Sequence, residues 1–144
     1  MAYKLDFEIP CQRASDLPRN LNNSLHAVKY FTWERAKWRR LIAKYVYARP
    51  SNPLAKASLV LERHGLREPD YDGLVTSFKF VIDGLVHAGV IKDDKMSVIG
   101  IPDYRWIKAK KGMYKIRIVV QELAMGSEAS ETKSNSAHKK ANNE

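Results

Sequence analysis

Apolar and charged residues alternate strictly over Tyr3-Lys4-Leu5-Asp6-Phe7-Glu8-Ile9. That period of two predicts a half-buried strand with Leu5, Phe7 and Ile9 inward. Pro10 to Asn23 is polar and turn-rich and predicts a long loop. From Thr32 to about Ala48 the period becomes helical, with Trp38, Leu41, Ile42, Tyr45 and Val46 on one stripe, Thr32 as N-cap, and Arg49-Pro50 closing the helix. Ala57, Leu59 and Leu61 alternate with Ser58, Val60 and Glu62 as a second strand. A turn over Gly65–Pro69 then leads into a second helix over Gly73–Ala88. Leu74, Phe78, Val81, Ile82 and Leu85 form its core stripe, and Gly89 stands where a C-terminal glycine cap belongs. Strands are expected at Ser97–Ile101, Tyr104–Lys108 and Tyr114–Glu122, the last two joined by a hairpin turn at Lys110-Lys111-Gly112. The order β-α-β-α-β-β-β predicts an α/β or α+β domain over residues 1–125, with a mixed sheet and two main helices. Residues 126–144 are polar and without period, and predict a disordered tail.

Composition adds a sign to this picture. The 144 residues carry 25 Lys+Arg against 16 Asp+Glu, a net charge of +9. Residues 126–144 hold three lysines and three glutamates, so the whole excess sits on residues 1–125. Such a field points to a polyanionic partner, although a merely basic soluble protein has the same composition. Cys11 is the only cysteine, which excludes a disulfide framework and a thiolate zinc site. The four histidines (26, 64, 87 and 138) lack ligand spacing, and the seven glycines form neither a P-loop nor a dinucleotide fingerprint. No apolar run approaches the ~18 residues of a membrane span, and Met-Ala-Tyr-Lys-Leu-Asp lacks a secretory core. These features predict a cytoplasmic protein with no membrane partner.

The chemically informative stretch is Pro69-Asp70-Tyr71-Asp72-Gly73, then the helix, then Ile91-Lys92-Asp93-Asp94. In an extended segment, residues two apart point the same way, so Asp70 and Asp72 are expected to present their carboxylates together. If a returning segment brings Asp93 and Asp94 back across a helix about 24 Å long at ~1.5 Å per residue, three or four carboxylates meet. Carboxylates cluster only around a cation or a shared proton, and hard oxygens favour Mg²⁺ or Mn²⁺. Each also has an ordinary structural role: Asp72 as a helix N-cap, Asp70 beside a Pro turn, Asp93-Asp94 as a loop dipeptide. Asp72, Thr76, Lys79 and Asp83 step by four, three and four, so they are expected on one helix face. Lys79 is then able to aim its ammonium back toward the acidic site and a phosphate, or to pair with Asp83.

Taken together, Asp70-x-Asp72-Gly73-Leu74, Lys79-x-x-x-Asp83, Ala88-Gly89 and Asp93-Asp94 resemble the signature of the RusA family of Holliday-junction resolvases. The resemblance covers about 25 residues. It implies a small homodimer that cuts four-way DNA junctions with Mg²⁺ or Mn²⁺, in a bacterial or phage-infected cell. It also implies Asp70, Asp72 and Asp94 as essential metal-site aspartates with Asp93 beside them, and Lys79 as the essential lysine. Gly73 departs from the family, which prefers Asn there. The basic run before the motif is modest: Arg63, His64 and Arg67.

Candidates for gripping DNA backbone are Arg35, Lys37, Arg39, Arg40 and Lys44 on the first helix, where only Glu34 offsets five cations, and Arg67. A second group is Arg105, Lys108, Lys110, Lys111, Lys115 and Arg117. Trp33, Tyr104 and Trp106 are candidates for stacking on unpaired bases, with a core or dimer contact as the ordinary role of the two tryptophans. Two other classes of function compete: a catalytically silent module that grips branched DNA, and a basic RNA-binding domain with coincidental acids.

Overall fold

The alternation at the N-terminus becomes strand β1 (Lys4–Cys11), with Leu5, Phe7, Ile9 and Cys11 buried and the residues between them exposed. It runs through Pro10, where a loop is expected, because β1 is an edge strand, a place where a sheet tolerates proline. A single 3-10 turn, Ala14–Asp16, follows. The computed structural model describes residues 2–20 and 27–124, so the tail expected over 126–144 lies outside the described residues.

Helix α1 (Ala27–Tyr45) begins ahead of Thr32, which therefore lies inside the helix instead of capping it. Trp38, Ile42 and Val46 are buried as the stripe predicts, and Phe31 packs edge-on against Phe80 at 5.7 Å. After β2 (Ala57–Gly65), the expected single helix is two: α2 (Tyr71–Ser77) and α3 (Lys79–His87), separated at Phe78. The hydroxyls of Thr76 and Ser77 explain the break. They donate to the carbonyls of Asp72 (2.7 Å) and Leu74 (2.8 Å), competing with the amides of the last turn. Phe78 itself is fully buried, so the stripe continues across the break. Gly89, with φ of +80°, ends α3 as expected.

The strand expected over Ser97–Ile101 is instead a single helical turn, α4 (Met96–Ile99). Val98 and Ile99 are adjacent and both buried, which one face of a strand does not allow. Strands β3 (Asp103–Lys108) and β4 (Tyr114–Glu122) form where expected but do not pair with each other. The sheet order is β1-β4-β2-β3, with β4 antiparallel to both β1 and β2, and β3 parallel to β2. Lys110-Lys111-Gly112 is a turn, with Gly112 at φ of +85°, yet it carries the chain from the β3 edge to the far side of β2. The result is an α+β fold with a four-stranded mixed sheet. One sheet face is apolar and packs on the helices. Among the described residues no helix is long and apolar enough to cross a membrane.

Helices α1 and α3 meet at Gly84, where an added Cβ would lie 2.8 Å from Ile42 Cγ1 and 3.1 Å from the Trp38 carbonyl oxygen. The second contact is backbone and has nowhere to go. The opposite sheet face carries a charged row: Glu62, only 6% exposed, lies between Arg117 on β4 (3.3 Å) and Arg105 on β3 (3.4 Å). Arg117 also pairs with Asp6 on β1 (2.7 Å), and Arg105 with Asp103 (2.6 Å), so the ladder spans all four strands. Hydrogen bonds from the Arg117 guanidinium hold the Asp6 carboxyl below its ordinary 3.8.

Two stability outcomes follow. Gly84→Ala gains about 1 kcal/mol of helix propensity but overpacks the crossing, and we expect a net loss of about 1–2 kcal/mol in urea melts. A variant as stable as the parent would show that close approach at Gly84 does not govern the crossing. Because the folded pKa of Asp6 lies below its unfolded value, its contribution is present above about pH 4 and is lost as pH falls through the folded pKa. Asp6→Asn should therefore flatten the acid side of the melting-temperature profile between about pH 2 and 5 and leave its shape above pH 6 unchanged.

Candidate functional site

Asp70 is extended (φ −71°, ψ 166°) and caps α2, its Oδ1 accepting the Gly73 N–H at 2.9 Å. Asp72 is already inside the helix, so the two carboxylates do not share the direction that an extended segment would give them. Asp70 lines a cleft with Arg63, Pro69 and Gly73. Asp72 lines another, of about 450 Å³, with Tyr71, Thr76, Met96 and Tyr104. Asp93 and Asp94 follow Ile91, which bridges to Leu54 ahead of β2, whereas Asp70 follows the other end of that strand. The chain then returns, and Met96 and Ile101 form a wall of the Asp72 cleft while Asp94 does not line it. Among the described residues no three Asp, Glu, His or Cys side chains come together as a group able to hold a metal.

The Asp94 N–H donates to Asp93 Oδ1 at 2.7 Å, and Lys95 Nζ stands 3.9 Å from Asp93. The backbone bond from Asp94, and then the Asp94 side chain, lower the Asp93 pKa. Lys79 is exposed and opens α3, just beyond the break at Phe78. Its ammonium lies over the rings of Phe31 (5.4 Å) and Phe80 (5.6 Å). Asp83 is not its partner, because Arg39 holds both oxygens of that carboxylate at 2.8 and 3.1 Å.

The basic candidates divide into those the fold uses and those it leaves exposed. Glu34 does not sit on the cationic face of α1. It is buried, and its Oε2 accepts from Trp38 Nε1 (3.0 Å) and from the Arg19 N–H (3.2 Å). Lys37 donates to the Asp16 carbonyl, Arg39 pairs with Asp83, and Lys44 lies over the Tyr45 ring. Arg35 and Arg40 are exposed and make no ion pair with the described residues. Arg105, Lys115 and Arg117 are committed to the sheet, Lys115 to Glu8 at 3.0 Å. Arg67, Lys108, Lys110 and Lys111 remain exposed. They stand at one end of the sheet, because Lys108 is in register with Gly65 and the Ala109 N–H donates to the Gly65 carbonyl at 2.9 Å. That is the end from which the Asp70 loop rises.

Among the aromatic candidates, Trp33 is 74% exposed and so is no core residue. Trp106 is half-buried and donates to the Gly65 carbonyl (3.2 Å). Tyr104 packs near Phe78, and burial followed by the neighbouring Tyr71 raises its pKa. A larger cleft, about 680 Å³, lies elsewhere, beside Cys11, Tyr45 and Met113. Burial pushes the Cys11 thiol there up to about 11, so it is no nucleophile. Two cations of the acidic cleft were not among the site candidates read from the chain: Arg19, and Arg63 on the helix-facing side of β2. One further step of the 57-59-61 alternation would have shown a cation at a core position.

No protein-family model and no curated protein matches the chain.

Gly73 explains its own departure from Asn. A Cβ at that position would lie 2.5 Å from Asp70 Oδ1, so any side chain there displaces the capping carboxylate. Gly73→Asn should cost about 1 kcal/mol, the usual worth of an N-cap. In a double-mutant cycle with Asp70→Ala the two losses should not add. Additive losses in thermal melts would mean that the cap and the glycine are independent.

Proposed function

We propose that the chain is a metal-assisted endonuclease of branched DNA that resolves four-way junctions as a homodimer, in the manner of the RusA family that it resembles. The observation that supports this reading is where charge pairing stops. Most carboxylates of this basic chain have a cation: Asp6, Glu8, Asp16, Glu34, Glu62, Asp83, Asp93 and Asp103 all do. Among the described residues Asp70, Asp72 and Asp94 have none, and all three are exposed. Glu68 and Glu122 also lack one, but Asp70, Asp72 and Asp94 are the aspartates of the motif, and a cation from outside would complete them.

The donor set suits Mg²⁺, a hard ion commonly held by one or two carboxylates, with water and substrate phosphate filling its other positions. Asp70, Asp72 and Asp94 are the candidate ligands of the motif, with Asp93 beside them. Since no three of them stand together among the described residues, one or two would hold the ion, and water and phosphate would supply the rest. When bound, such an ion polarises the phosphate and makes a water more acidic. The chain's own part is to hold the backbone: Arg67, Lys108, Lys110 and Lys111 stand at the same sheet end as Asp70 and offer sequence-independent grip on phosphates. Preference for a junction comes from two such surfaces set at a fixed angle by a twofold dimer.

The test is a synthetic four-way junction with Mg²⁺, scored for paired nicks, alongside linear duplex and light scattering against the 16.5 kDa chain mass. We expect symmetric nicking by a dimer, and at least about a 10²-fold loss of rate in Asp72→Asn with junction binding retained. Binding without nicking would assign the chain to the silent module, and equal competition by A-form RNA to the RNA-binding class. Parent-rate nicking by Asp72→Asn would remove that carboxylate from the site.

A further inference from the structure

Arg63 stands where strand β2 calls for a core residue. Ala57, Leu59 and Leu61 point into the helix layer and are buried, and the next side chain of that register is Arg63, opposite Ile116 on β4 and Trp106 on β3. One of its N–H groups donates to the Pro18 carbonyl. Among the described residues no carboxylate pairs with it and no other hydrogen bond engages it, in contrast to Arg39, Arg105 and Arg117. Burial lowers its pKa, as expected of a cation that has lost water without gaining an anion.

The guanidinium carries five N–H donors in a planar fork that suits an oxyanion. Arg63 lines a cleft of about 510 Å³ between the Ala14–Asn20 segment and the start of α2, whose walls include Leu17, Arg19, Asn20, Asp70 and Ser77. The Arg19 guanidinium stands over the Tyr30 ring at 5.9 Å, and two arginines and one aspartate among the lining give a net charge of +1. A phosphodiester, which carries one negative charge, matches it better than a phosphate monoester does.

We propose that this cleft is an anion site in which Arg63, helped by Arg19, holds a phosphodiester of a nucleic-acid backbone beside Asp70. The identity of the ligand rests on the nuclease reading, whereas the need for an anion rests on Arg63 alone. The site explains why a cation occupies a core register, and it supplies a fixed point from which the chain would position a strand against the acidic loop.

The whole 144-residue chain, kept metal-free with chelator, is titrated with the dinucleotide dTpdT and followed by ¹⁵N–¹H spectroscopy. Parallel titrations use inorganic phosphate and the uncharged methylphosphonate analogue of dTpdT. Reporters are the Gly73 amide, the Gly65 amide and the Trp106 indole N–H that donates to Gly65. We expect dTpdT to shift these signals, the methylphosphonate to leave them unmoved, and Arg63→Met to weaken dTpdT binding about tenfold or more, as for loss of a charge-assisted contact. Arg63→Lys should lose less, and serves in place of the methionine variant should that one not fold. Folding of Arg63→Met is checked by its melt, which should match or exceed that of the parent because an unpaired charge is removed.

Absence of shifts in the parent, or equal binding by Arg63→Met, would overturn the site. Equal shifts from the methylphosphonate would overturn its anionic character, and tighter binding of inorganic phosphate would overturn its assignment to nucleic acid. A junction left uncut while dTpdT binds through Arg63 would defeat the nuclease reading and leave the anion site standing. A junction cut at the parent rate by Arg63→Met, with no dTpdT shifts, would do the reverse.

Discussion

Strand β4 is the last strand of the fold and lies between the first and the second, and the rest of the structure depends on that insertion. Tyr114–Glu122 hydrogen-bonds to β1 on one side and β2 on the other, so both ladders wait for it. Without it β1 has no neighbour, and β2 and β3 form a two-stranded parallel ribbon, too small to bury a face. The pairing also sets chemistry. It places Arg117 beside Glu62 and Asp6 on one face, and Ile116 beside Arg63 on the other. The two faces of the sheet thereby treat arginine oppositely: one neutralises it with carboxylates, and the other leaves it unpaired against apolar neighbours.

That difference organises the charge of the whole molecule. Arg105, Lys115 and Arg117 on the open sheet face and Lys37 and Arg39 on α1 are matched by carboxylates or carbonyls, and each such pair contributes little to stability where it is solvent-exposed. Glu62 is the exception, since removing it would leave two guanidinium groups facing each other across β2. Among the described residues, cations without an ion pair include Arg67, Lys108, Lys110 and Lys111 at the Gly65–Lys108 end of the sheet and Arg35 and Arg40 on α1. Carboxylates without a cation include Glu68, Asp70 and Asp72 after that end of β2, with Asp94 and Glu122 elsewhere.

Periodicity made the strands and the buried stripes legible: Leu5, Phe7 and Ile9, then Trp38 and Ile42, then Leu74 through Leu85 are buried as their spacing implies. What it missed has physical causes. The break at Phe78 depends on hydroxyls bonding back to carbonyls, and a helical stripe passes over such a break without changing. Val98 and Ile99 offered β-branched residues to a strand, but their joint burial required a helical turn. The turn at Gly112 was correctly placed and wrongly read, because a tight turn fixes local direction and not which strand comes next to which. For the candidate site, the acidic residues were visible by type and order. Their directions were not, since one residue, Asp70, is extended and the next is helical.

Helix α1 enters this site through its buried side and not only through its cationic one. Glu34 reaches out of the core to accept the Arg19 N–H, and Lys37 donates to the Asp16 carbonyl, so the Ala14–Asn20 wall of the Arg63 cleft is tied to α1 at two points. Trp38 fixes Glu34 in turn, and the Trp38 carbonyl is the atom that demands a glycine at position 84. A continuous chain of contacts therefore runs from the α1–α3 crossing to the backbone of Arg19. Its other wall is set by Asp70, whose carboxylate holds its place because Gly73 has no side chain to displace it. Two tight approaches, one at each glycine, thus fix the two walls between which Arg63 stands. Residues that read as a solvated basic face and an unremarkable turn are, on this geometry, the supports of a single cleft.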